Sequence, residues 1–125
     1  MPVFDVEFHL NETTTAEGIP APWIRIGQDR VQPGDTFRYV TTVQLSAPSA
    51  RATLEMAFEA GNGQDVPGSR EFDRYTDRNM CVGDVIVVHT PDGVLVAYAD
   101  SCGWVDIEDI EEYNLTIGEP SRARA

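Results

Sequence analysis

The chain has 125 residues, 42% of them apolar, with 21 acidic residues against nine basic ones and a formal net charge of −12. That length points to one domain with enough apolar content for a buried core, which excludes wholesale disorder. So negative a surface repels phosphate backbones and anionic membranes, disfavouring a conventional nucleic-acid or membrane-surface binder and suiting a basic partner.

Residues 3–10 alternate cleanly. Phe4, Val6, Phe8 and Leu10 point one way and Asp5, Glu7 and His9 the other, which predicts a strand with one wet face. Residues 11–22, rich in Thr, Gly and Pro, predict a loop, and Trp23 to Ile26 a short strand ended by Gly27. After the turn signal Pro33-Gly34-Asp35, β-branched and aromatic residues over 36–45 predict a second long strand. Strict alternation there places Phe37, Tyr39, Thr41, Val43 and Leu45 on one face and Arg38, Thr42 and Gln44 on the other.

The period then changes. Ala50, Leu54, Ala57 and Phe58 form the stripe of an amphipathic helix, with Ser46 or Ser49 as its N-cap and Gly61 and Gly63 ending it. Residues 64–79 mix charge, Pro and Gly without a period and are expected to form an exposed connection. Two apolar runs, 85–88 and 94–99, flank His89-Thr90-Pro91-Asp92-Gly93, a hairpin whose turn is of type I followed by a bulge. Asp106 is placed to cap a short helix over 106–113, with Glu108 and Asp109 in its first turn; Tyr113 to Ile117 reads equally as a last edge strand. Residues 119–125 are expected to form a flexible C-terminal tail.

The most specific pattern spans 78–107: Arg78-Asn79-Met80-Cys81-Val82-Gly83-Asp84-Val85-Ile86, the hairpin, then Ser101-Cys102-Gly103-Trp104-Val105-Asp106-Ile107. It resembles the YodL-like family of small proteins of phages, plasmids and bacteria, whose members carry Arg-Ser-Met/Leu-Ser-Val-Gly-Asp-Val, a hairpin and a Gly-Phe/Trp-x-x-Ile ending. The chain departs from that pattern where Asn79 and Cys81 replace two serines. The resemblance implies an α+β domain and carries no assigned chemistry. All nine basic residues are arginine, with no lysine, which fits a GC-rich genome and hence an actinobacteriophage member.

Catalytic patterns are thin. There is no Gly-x-Ser-x-Gly, P-loop or His-Glu-x-x-His, and two histidines with two cysteines give no zinc-ligand spacing. The acidic run Asp106, Glu108, Asp109, Glu111 and Glu112 lacks the loop that arranges oxygens around calcium. No catalytic residue, metal site or cofactor is therefore expected. Cys81 and Cys102 are expected as free thiols of a reducing cytoplasm. No run approaches 18 apolar residues, and no basic stretch precedes an apolar one at the N-terminus, so no membrane span or secretory leader is expected.

These readings converge on an α+β domain over 1–118: a mainly antiparallel sheet of four to six strands with one packed helix. The expected core is Phe4, Val6, Phe8, Tyr39, Val43, Leu54, Phe58, Val85, Val87, Val96 and Trp104. The expected function is that of a cytoplasmic, non-enzymatic accessory protein of a phage or mobile element that binds another protein, in one version a host protein. The alternative is an acidic nucleic-acid mimic occupying a host DNA-binding protein. Candidate partner-binding residues are Trp23, Arg78, Asp106, Glu108, Asp109, Glu111 and Glu112, with no direct nucleic-acid or membrane contact.

Overall fold

A computed structural model describes residues 1–76, 78–101 and 103–118. Five strands form one antiparallel sheet: β1 (Val3–Asn11), β2 (Phe37–Ser46), β3 (Val85–Thr90), β4 (Gly93–Asp100) and β5 (Gly103–Asp106), in the order β2-β1-β3-β4-β5. Among the described residues three α-helices accompany it: α1 (Ala21–Ile24), α2 (Ala52–Ala60) and α3 (Ser69–Tyr75). The fold is thus the α+β domain the sequence implies, with more helix than expected. No helix among the described residues is long and apolar enough to cross a membrane.

The sheet is covered on both faces, which explains the continuous apolar character of β3 and β4. Phe4, Val6, Phe8, Leu10, Ile86, Val88 and Ala97 pack with Leu54, Ala57 and Ala60 of α2 and Phe72 of α3. Val85, Val87, Val96 and Tyr98 face the other way, under Ile107, Ile110, Tyr113, Leu115 and Ile117.

That second layer corrects the expected wet face of β1. Glu7 and His9 are 1% and 2% exposed, because β1 is flanked by two strands and overlaid by the segment after β5. Asp106 does not cap a helix. It lies in β5, and among the described residues only a single 3-10 turn, Ile110–Glu112, follows. Residues 113–117 run extended outside the strands, joined to the sheet region through the isolated bridge Thr36–Asn114.

Strict alternation fails once, in β2. Opposite Phe8 and His9 of β1 stand Thr41 and Tyr39, so Val40 is an inserted residue and the register shifts there. A bulge of this kind resets the pleat. Val40 turns into the core, while Tyr39 is 51% exposed and packs edge-on against His9. Tyr39 is accordingly not a core residue, and Phe58 and Trp104 are only half-buried at its rim.

Residues 64–79 are not merely a connection, since α3 lies within them. It is held by Phe72, 1% exposed, whose ring centroid is 5.1 Å from that of Phe8. The α2 stripe forms as expected, but its N-cap position is Arg51, with no side-chain cap, instead of Ser46 or Ser49; Ser49 Oγ, two residues earlier, accepts the Ala52 N–H at 3.2 Å. Gly61 follows α2 at a close approach, where an added Cβ would lie 2.5 Å from Met80 Cγ. Trp23 and Ile24 belong to a short helix, not a strand, with Pro22 in its first turn. The hairpin turns through Pro91 and Asp92 between the paired Thr90 and Gly93. The expected tail at 119–125 lies outside the described residues, as does Cys102; Cys81 is a free thiol.

Candidate functional site

Asp84 enters β3 with no exposed surface, and a buried carboxylate needs partners. It has four. The backbone N–H groups of Asn11 and Cys81 donate at 2.8 Å each, and the Arg78 guanidinium donates in a fork at 2.7 and 2.8 Å. Arg78 also donates to the carbonyls of Asn11 and Asn79, both at 2.9 Å. The segment 78–84 is therefore folded around one carboxylate and fastened to the end of β1. Burial works against the charge of Arg78, but the Asp84 hydrogen bond dominates and raises its pKa above the usual value.

Asn11 links this knot to a second one. Its Nδ2 donates to Asp35 at 2.9 Å, and Asp35 takes a bidentate pair from Arg25 at 2.7 and 2.8 Å. Burial alone would raise the Asp35 carboxyl, but Arg25, Asn11 and the Gln32 N–H outweigh it and hold the pKa below its ordinary 3.8. Arg30, 8% exposed, spans from the Pro22 carbonyl at 2.9 Å to Asp100 at 3.1 Å.

These ties seat α1 against the segment 78–84. Gly83, at φ +88°, makes the seat possible, because a Cβ there would lie 2.3 Å from Pro22 Cβ. The Trp23 indole N–H points to Cys81 Sγ at 3.1 Å. Burial, then the neighbouring Asp84 charge, push the Cys81 thiol upward, which keeps it protonated near neutral pH.

Between α1 and this segment lies a cavity of about 490 Å³, walled by Pro20, Pro22, Trp23, Met80, Cys81 and Val82, with Asn11, Thr13 and Arg78 among its polar lining. Trp23 stays 52% exposed at its rim, with Ile24 and Ile26 exposed beside it at 56% and 77%. A second cleft, of about 550 Å³, shares Arg78 and Asn79 and is lined by Arg38, Asp73 and Arg74.

The structure thus brings two candidates, Trp23 and Arg78, to one cavity. The acidic candidates do not line it. Asp106 forms a surface pair with Arg51 at 2.8 Å, and Glu108, Asp109, Glu111 and Glu112 lie exposed after β5. Sequence reading missed Asn11 and Asp35. Asn11 sits at a strand end and Asp35 in a turn signal, and neither position announces a long-range partner.

A further buried group lies on the second sheet face. Glu7 accepts hydrogen bonds from His9 Nε2 at 2.9 Å, from His89 Nε2, and from the Gly118 N–H at 3.0 Å. Burial would raise its pKa, but these donors hold it below the ordinary 4.5. None of the three side chains lines the cavities above. Among the described residues no group of three or more His, Cys, Asp or Glu is arranged to hold a metal ion.

No protein-family model matches the chain, and neither a curated protein nor a solved structure matches it.

Proposed function

We propose that this chain is a small accessory protein of a phage or mobile element that acts by binding another protein, with no chemistry of its own. Its likeness to the YodL-like pattern over 78–107 supports that origin. The observation that carries the binding reading is Trp23: a large indole half in solvent, at the mouth of an apolar cavity, followed in the chain by exposed Ile24 and Ile26. Burying such surface is what a partner supplies, and Trp is a preferred anchor of interfaces. The cavity wall is rigid, because Asp84 and Arg78 fix the segment that forms it. A preformed pocket lowers the ordering cost of binding.

The alternative, nucleic-acid mimicry, would draw on exposed Glu108, Asp109, Glu111 and Glu112. It is the weaker reading because Glu7, Asp35 and Asp84 are buried and Glu12, Asp100 and Asp106 are paired with arginine, so none of the six is free to form a stripe.

A photo-crosslinking residue at position 23, expressed in the host cell, tests the reading. It should give one dominant adduct, which the same probe at exposed position 44 on β2 does not give. Trp23→Ala should then weaken that complex by about 30-fold or more, the cost of losing a hot-spot tryptophan, with unchanged melting temperature. Identical adduct profiles from positions 23 and 44 would contradict it.

A further inference from the structure

A separate cavity of about 340 Å³ opens on the other side of Val82, between α2 and the β4–β5 end of the sheet. Its walls are Phe58, Trp104, Glu55 and Asp100, with small Ala99 and Gly103 between them. The two aromatic rings stand edge to face, centroids 6.1 Å apart at 90°. Trp104 donates its indole N–H to Glu55 Oε1 at 3.0 Å, which fixes the indole and leaves Glu55 Oε2 without a hydrogen-bond partner among the described residues.

The charges around the cavity leave one carboxylate uncompensated. Asp100 is paired with Arg30 at 3.1 Å, and Arg51, one helical turn before Glu55, is committed to Asp106 through two bonds of 2.8 and 3.1 Å. Among the described residues Glu55 has no cation of its own. Aromatic surface beside an unpaired carboxylate attracts an organic cation, the ring through its quadrupole and the carboxylate through a charge-assisted hydrogen bond. The net charge of −12 adds a long-range field of the same sign.

We infer that this cavity is a recognition site for an alkylammonium or guanidinium group, the side chain of a lysine or arginine on a partner protein. It is distinct from the Trp23 cavity, with which it shares, among the described residues, only Val82 as a wall.

The test uses the whole chain and three probes: acetyl-lysine amide, acetyl-arginine amide and the neutral acetyl-norleucine amide, followed through the Trp104 indole N–H resonance. Either cationic probe should move that resonance saturably, more weakly as salt rises, and norleucine amide should not. Glu55→Gln keeps an oxygen acceptor for the indole and removes only the charge. It should weaken the cation by about fivefold or more, the scale of one such contact, while Glu108→Gln on the exposed acidic segment changes it by less than twofold. Trp23→Ala should leave it unchanged, so loss of the partner site at Trp23 and loss of this site are separable. Binding of norleucine amide as tight as lysine amide, or equal weakening by Glu55→Gln and Glu108→Gln, would overturn the inference.

Discussion

Asp84 is the residue on which the candidate site turns. Its carboxylate carries no exposed surface and holds four donors, so Asp84→Ala leaves two backbone N–H groups and a guanidinium without their acceptor. The expected cost is about 3 kcal/mol or more, read from the urea midpoint. A loss under about 1 kcal/mol would show that water satisfies the knot. Glu7 and Asp35 add a pH dependence. Both carboxyls sit lower in the folded chain than their ordinary 4.5 and 3.8. Their stabilisation is therefore complete above those values and is lost as pH falls through the lower folded ones. Urea unfolding should show falling stability below about pH 4.5, and Glu7→Gln should flatten part of that fall; equal slopes in both proteins would contradict it. Gly93 was legible from sequence as the glycine of the hairpin turn, and it has a positive φ of +140°. Glu7 and His9 were not. A polar row on a strand reads as solvated, and only the covering segment after β5, brought from more than 100 positions away, makes it buried.

Among the elements, those with several periodic anchors were legible and those with one were not. The α2 helix offers Leu54, Ala57 and Phe58, and the β3–β4 hairpin offers two apolar runs around Pro91-Asp92-Gly93. The α3 helix buries one apolar residue, Phe72, beside the small polar Ser69 and amid charged neighbours, so its sequence shows no apolar stripe. The α1 helix is four residues long and leaves Trp23 and Ile24 exposed, and such a segment imitates a strand. The β2 bulge has no sequence signature either, since Tyr39 and Val40 both suit a strand. Substitution separates the two registers. Val40→Ala should cost about 1–2 kcal/mol as a core deletion, and Tyr39→Ala about 0.5 kcal/mol. The reverse order would restore strict alternation and remove the bulge.

For the molecule as a whole, the sheet divides the labour. One face carries α2, α3 and the larger core; the other is closed by the segment 107–118, which brings the exposed acidic run with it. The Trp23 cavity lies where α1 meets the segment 78–84, so the part of the chain with the most specific sequence pattern also builds the candidate binding wall. That much of the site was half-legible: Trp23 and Arg78 stood out singly, but their meeting depends on Gly83, Asn11 and Asp35, partners distant in sequence. On the proposed binding reading, the acidic run would act by steering, which changes association rate more than the contact itself. Hydrogen–deuterium exchange of the chain alone and with its cross-linked partner, purified, measures the contact directly. Binding through the Trp23 cavity predicts new protection over residues 20–26 and 79–82; protection confined to 106–112, with 20–26 exchanging as in the free chain, would contradict it.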